Sequence, residues 1–500
     1  MGDVRHDVQR LRKTCRSDET LPPVIQRQQH ADPLSFDESR LDALQRHAFE
    51  YFLHEISPAN GLVADTSQPG SPASIASTGF ALSTYPVGVE RGWMTRTDAI
   101  ERTLTLMRFL WSSPQGTAPD GTGYKGFYYH FLDMSTGRRA GLCELSSIDT
   151  GFLLAGMLTA ATYFDRENED ELELRTLADA LYRRADWLWA CNGGATITHG
   201  WKPESGFLPY RWAGYDEALL LYVLALGSPT HPLATDSYTA WTDSYQWKNI
   251  YGYEFIYGGP LFIHQYSHIW VDFRGIQDAF VRGKGIDYWE NSRRATFVQQ
   301  EYAIRNPLDF AGYGKHFWGL TASDGPGWTT RRIHGIERSF FDYVARGAPY
   351  GPDDGTIAPW AVIASLPFAP EIVLPTVWHF QDVYPQITAE YCFRCSFNLT
   401  FPNEANAGAG WTSPYHFGIN LGPVVLMCEN YRSGLLWRLT CACPYIVTGL
   451  RRARSRSHWP GTRARLEIAA HNQPFVNPAR RSPVTMYGHA HVNRQSKPER

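Results

Sequence analysis

No apolar run in the 500 residues reaches the roughly 20 needed to cross a bilayer, so no membrane partner is expected. Residues 1–34 are polar and hold no apolar stretch of the kind a secretory leader carries, so no export signal is visible. Strict period-two alternation is scarce, which argues against an all-β sandwich or barrel. Cysteine is sparse, with eight residues at 15, 143, 191, 392, 395, 428, 441 and 443. The pairs Cys392-x-x-Cys395 and Cys441-x-Cys443 lack ligand-spaced histidines, so they read as free thiols rather than a metal site. His264 and His268 have i,i+4 spacing but no metalloprotease acid beside them, and neither a metal nor another cofactor is expected. Charge is also modest, at 19% of residues and a net −3. That balance hides an asymmetry: residues 451–500 hold eleven Lys/Arg against two Asp/Glu, leaving −12 on the first 450. An acidic body is a poor phosphate binder, so nucleic acid is not expected as a partner. The basic stretch 454–500 lacks apolar periodicity and reads as a disordered tail.

What the chain does have is aromatic side chains: 17 Trp, 27 Tyr and 26 Phe. Flat apolar faces with a polar edge suit sugar rings, although a large helical core would use them too. Between the polar extension 1–34 and the tail, residues 35–453 show no compositional break and read as one domain. Two kinds of helical pattern alternate along it. Amphipathic, acid-first segments start near Ser35 or Asp37, Thr95 or Thr97, and Asn168. Between them lie segments apolar on nearly every side, at 71–89, 146–164, 215–228, 359–368 and 418–437. A helix greasy all round is surrounded by protein. Inner helices ringed by outer partners, about six times, give an all-α (α/α)6 barrel, with a small β-hairpin expected in the loop "YYHFLDMSTGRRAG".

Acids and rings gather just ahead of the inner segments. "GLCELSSID" supplies Glu144 and Asp149, "RWAGYDE" supplies Tyr215, Asp216 and Glu217, and "TASDGPGW" supplies Asp324 and Trp328. "GAGWTSPYHFGIN" adds Trp411 and Tyr415. If the inner helices run parallel, these loops open on one pit, and paired carboxylates flanked by rings suit a glycosidase. Glu217 is the foremost candidate, because helical spacing sets it above Leu220, Leu221 and Leu224, where desolvation raises a carboxyl toward a general acid. The plainer reading of Asp149 is the second acid of a Ser146 capping box, that of Asp216 a first-turn cap, and that of His231 a loop-fixing hydrogen bond. Glu144 could instead pair with Arg138 or Arg139, Glu429 with Arg432, and Asp353 and Asp354 read as turn residues.

Several long motifs occur in order: "STGFALSTYPVGVERGW", "ELSSIDTGFLLAGML", "GYDEALLLYVLALGSPTHPL", "GGPLFIHQYSHIWVDFRGIQD", "GWTSPYHFGINLGPVVLMCENYRSGLLW" and "CPYIVTGLRRA". Together they resemble the glycoamylase-like family, which includes bacterial endo-β-1,2-glucanases and a domain of cyclic β-1,2-glucan synthases. The resemblance implies an (α/α)6 barrel that hydrolyses β-1,2-glucan internally with inversion and without metal. It implies Glu217 as proton donor, Glu144 and Asp149 in proton relay or sugar binding, and a groove to which Arg91, Trp93 and Asp324 contribute; Tyr215, Asp216, His231, Trp328, Trp411 and Tyr415 are further candidates for substrate contact. The expected partner is an oligo- or polysaccharide, handled by a monomer. Relatives of this type are exported to the periplasm or beyond, whereas the missing leader leaves a cytoplasmic location open. The alternatives are a glycan-binding protein without turnover, or a member that acts on another glucan or transglycosylates.

Overall fold

A computed structural model describes residues 37–402 and 410–453. The extension 1–34, the Ser35 cap, Cys15 and the tail 454–500 lie outside the described residues.

The five apolar segments form helices α1 (Ile75–Glu90), α2 (Ser147–Tyr163), α3 (Leu219–Gly227), α5 (Pro359–Ala364) and α6 (Gly418–Arg432), and a short buried helix that the pattern does not mark, α4 (Tyr266–Trp270), joins them. Each is preceded in the chain by another helix: Glu38–His54, Arg96–Ser112, Glu169–Arg184, Thr235–Thr242, Tyr288–Arg305 and Pro370–Val383, of which the first three are clearly more polar than the inner helices they precede. The two kinds differ as their patterns require. Nearly every residue of α1, α2 and α3 is buried, whereas Arg96–Ser112 buries one stripe, from Ala99 and Ile100 through Thr103, Leu104 and Met107 to Leu110. Asp37, Thr95, Asn168 and Ser146 supply the side-chain caps that start their helices. Neighbouring inner helices pack side by side, and α6 lies against both α5 and α1. α1 and α2 come closest: a methyl at Gly79 would stand 2.6 Å from the Leu153 backbone. The helix Pro444–Ala453 leaves the series and lies along α3.

Where the inner helices meet, rings fill the axis. Phe80 of α1 and Phe152 of α2 both stack on Trp270 of α4, at 5.3 and 5.6 Å. Tyr266 stands edge-on to both phenyl rings and reaches Trp360 of α5 at 6.2 Å. All five are buried. The loops ahead of the inner helices carry short strands. The largest sheet is antiparallel, in the order Gly123–Tyr124, Phe127–Tyr129, Leu145–Ser146, Gly200–Lys202, Gly206–Phe207. In the stretch read as a hairpin, Phe131–Leu132 pairs with Ala73–Ser74, and a single bridge, Leu132 to Arg139, spans its turn. Two-residue-turn hairpins form elsewhere, at 247–256 and 329–340.

Two boundaries differ from the sequence reading. α3 starts at Leu219, so Glu217 occupies the turn before the helix rather than its first face. The Asp216 side chain accepts from Ala218 N at 3.0 Å and turns the chain before the helix begins. The last inner segment breaks at Gly434, whose φ of +68° starts a new helix, Leu435–Ala442.

Candidate functional site

The acids expected at the pit gather ahead of α1, α2 and α3, with a histidine among them. His130 is held where its strand passes α1 and the Glu144 loop: Ile75 N donates to His130 O at 3.1 Å, and His130 N donates to Glu144 O at 2.9 Å. Its ring lies between two carboxylates, with Nδ1 2.8 Å from Glu144 Oε1 and Nε2 3.6 Å from Asp149 Oδ2. Burial alone would pull the imidazole pKa down, but Asp149, Glu144 and Asp65 outweigh it and hold it up to about 9. Glu144 moves the other way, down to about 2, because of the His130 hydrogen bond. Ser146 Oγ caps Asp149 N at 3.3 Å, so the capping half of the bland reading holds while the Asp149 carboxylate faces His130.

Asp65 precedes the strand that leads into α1, and Gly418 N at the start of α6 donates to its carbonyl. Burial pushes its carboxyl up to about 6, with Asp149 adding and His130 opposing. Glu217 is half-buried in its turn, and Ser267 Oγ holds its carbonyl at 3.0 Å. Burial raises its carboxyl well above the usual range, and Asp216 and Asp149 push the same way. Asp216 is raised by burial as well, and its Oδ1 also accepts the Trp241 indole N–H at 3.0 Å. Tyr215 is buried, its ring parallel to Tyr288 at 6.0 Å, and serves as wall.

Opposite these groups, Asp324 accepts Ser413 Oγ at 2.7 Å and Gly325 N at 3.0 Å, and burial raises it. Tyr343 stands beside it, close enough to feel Asp65, Asp149 and Asp324, and stacks on Phe417 at 6.2 Å. The loops that carry Asp324 and Tyr343 are bound by a fully buried ion pair. Arg346 Nε and Nη2 meet Asp354 at 2.8 and 2.9 Å, and Nη1 donates to Ser323 O at 2.7 Å. Nη2 also reaches the carbonyls of Phe341 and Asp342. Trp328, 69% exposed, begins the hairpin between them. Trp411 is half-buried in a strand beside Phe397–Asn398, and Tyr415 binds Cys395 N through its carbonyl.

Other candidates lie elsewhere. Arg91 and Trp93 sit at the far end of α1, about 24 Å from its start for 16 residues. There Arg91 forms a bidentate pair with Glu429, at 2.8 and 3.0 Å, and Trp93 packs on Phe49. Glu429 therefore pairs with Arg91 rather than Arg432, which instead binds Glu38 and Asp42. His231 follows the C-terminal end of α3, with its ring 3.7 Å from Asp186. Arg138 binds Asp120 and Arg139 binds Glu204, so neither takes Glu144. Asp353 accepts the hydroxyls of Tyr302 and Tyr313. Burial holds the pKa of His264 near 4 and of His268 near 3; their Nε2 atoms meet Gly258 O and Ser292 Oγ. Among the described residues, no His/Cys/Asp/Glu group is arranged to hold a metal, and no helix is long and apolar enough to cross a membrane. His130, Asp65 and Tyr343 went unnoticed in the sequence; a histidine between aromatic strand residues, one strand from Glu144, was the available signal for the first.

The cluster can therefore hold a proton on the desolvated Glu217 carboxyl while the His130 imidazolium keeps Glu144 ionised. Comparison with known proteins places the chain among carbohydrate-active relatives. The family model described as "Putative glucoamylase" matches residues 209–444. A solved structure from Bacteroides uniformis with the same description is 31% identical, with a TM-score of 0.73 over 83% of this chain and 96% of that one. An endo-β-1,2-glucanase from Chitinophaga pinensis, solved with sophorotriose and glucose, is 28% identical, with a TM-score of 0.73 over 83% and 97%. An exo-β-1,2-glucooligosaccharide sophorohydrolase from Parabacteroides distasonis is 28% identical over 84% of this chain, which spans 58% of that protein's length.

Proposed function

The chain belongs to the glycoamylase-like family, and from that premise we propose that it is a glycoside hydrolase that cuts β-1,2-glucan internally, with inversion at the anomeric carbon. The reading extends the fold to a closed (α/α)6 barrel, in which the six inner helices bring their leading loops around one pit. It rests on Glu217: a carboxyl in the pit that burial and neighbouring acids hold protonated above the ordinary range. A protonated carboxyl is what the leaving glycosidic oxygen requires, and a second carboxylate of the pit activates the attacking water. The hydrogen bond from His130 lowers the Glu144 carboxyl while burial raises that of Glu217, so the proton is held on Glu217 rather than Glu144. Support for the substrate comes from the relatives, two of which are named for β-1,2-glucans.

Glu217→Gln removes the donor while keeping the shape. Release of new reducing ends from linear β-1,2-glucan should fall by at least about a thousandfold, against the ~10²–10⁴ that general acid catalysis supplies. Retained activity would take Glu217 out of the role. The exo-acting relative favours a second reading, release of disaccharide from one chain end. Early products separate the two, since internal cuts give a ladder of lengths and the exo mode gives disaccharide alone. A glucan that is bound but never cut would instead mark a binding protein.

A further inference from the structure

Beside the pit, three rings step outward to solvent. Tyr210 is 66% exposed. His199 lies behind it at 5.9 Å and stacks on Trp212 at 3.9 Å, with 19° between the planes. We propose that Tyr210, His199 and Trp212 form a distal sugar platform, with the Tyr210 face carrying a glucosyl unit of the bound chain beyond the bond that is cut. This rests on the glycan-hydrolase reading above.

The ladder is tied to the pit at its inner end. Trp212 Nε1 donates to Ser147 Oγ at 2.9 Å, and Ser147 N donates to His199 O at 3.1 Å, so the rings are fixed to the first turn of α2, which bears Asp149. A methyl at Gly200, next to His199, would stand 3.0 Å from Glu144 Cγ, so the strand passes against the carboxylate itself. Arg211 braces the segment from the other side, donating to Cys191 O at 2.9 Å and Thr196 O at 2.6 Å. Burial lowers the His199 pKa and keeps the ring neutral, which suits stacking and a hydroxyl hydrogen bond rather than an anion. A rigid ring backed by protein on one side and open on the other is a preorganised seat for the apolar face of a pyranose, which loses little entropy on binding it. Tyr210 lies in the loop after Gly206–Phe207, where its carbonyl accepts from His199 N at 3.0 Å and fixes its backbone beside the histidine.

The test is the dependence of rate on chain length. In Tyr210→Ala, the ratio of kcat/KM on long linear β-1,2-glucan to that on the shortest chain cut should fall about tenfold, mostly through KM, while Tyr210→Phe keeps most of the ratio. An unchanged ratio in Tyr210→Ala, or an equal loss in Tyr210→Phe, overturns the platform. Binding isolates it from chemistry: in gels containing β-1,2-glucan, Glu217→Gln should be retarded more than Glu217→Gln/Tyr210→Ala. Equal retardation of the two overturns the platform while leaving the hydrolase reading intact. A wild-type protein that neither cuts the glucan nor is retarded by it overturns both.

Discussion

The buried pair Arg346–Asp354 offers a quantitative test of how the pit is held. Both side chains are fully buried, and the guanidinium spends its donors on one carboxylate and on carbonyls of the loops 321–325 and 340–346. Asp354 in turn accepts Phe341 N at 2.9 Å and Thr356 N at 3.1 Å. Arg346→Met keeps the aliphatic stem but leaves a dry carboxylate with two backbone donors and no countercharge. Removing one partner of such a pair costs about 3–5 kcal/mol, whereas replacing both by apolar groups is often close to neutral. The single changes Arg346→Met and Asp354→Leu should therefore each cost about 3–5 kcal/mol. The double variant should recover at least about 2 kcal/mol of their sum. Denaturant unfolding followed by tryptophan fluorescence measures all four corners of the cycle. Additivity within about 0.5 kcal/mol would refute the reasoning, because it would mean that the two charges do not depend on each other. Turnover adds a second readout: the double variant should fold yet cleave slowly, since Asp324 and Tyr343 lose their common brace.

Two further outcomes follow from placement and charge. His130 has its pKa raised, so its stabilising contribution is complete below its unfolded value of about 6.5 and is lost as pH rises through about 9; Glu144, lowered to about 2, contributes above its unfolded value of about 4.3 and loses that as pH falls toward 2. The thermal midpoint gap between wild type and His130→Gln should thus be widest near pH 5–6 and shrink between pH 6.5 and 9; a gap constant over that range would sink the assignment. Arg91→Met should cost about 3 kcal/mol of stability by exposing Glu429 to an unpaired burial, with kcat/KM per folded molecule unchanged, and a selective loss of activity would return Arg91 to the groove.

The helices were readable because burial on all sides leaves a continuous apolar run, and capping residues such as Thr95 and Ser146 mark where it begins. Glu217 was found for a partly mistaken reason: desolvation is real, but it acts in a turn whose geometry Asp216 sets by capping Ala218 N. His130 and Asp65 escaped because what makes them special is cross-strand and cross-helix juxtaposition, which no local pattern encodes. Arg91 and Trp93 were misplaced although the sequence held the correction. An inner helix that begins at the pit and runs 16 residues ends about 24 Å away. Tyr210 is a different case, since one exposed tyrosine among 27 carries no sequence signal until its loop is seen against His199.

The stack of Phe80, Phe152, Tyr266, Trp270 and Trp360 has a consequence for traffic. For the proposed hydrolase, rings packed between the inner helices would bar a polymer from passing between them, so the glucan would lie sideways across the leading loops. Both halves of a strand cut there would then leave on the side from which it arrived, and the side chains of those loops would govern how long each half lingers.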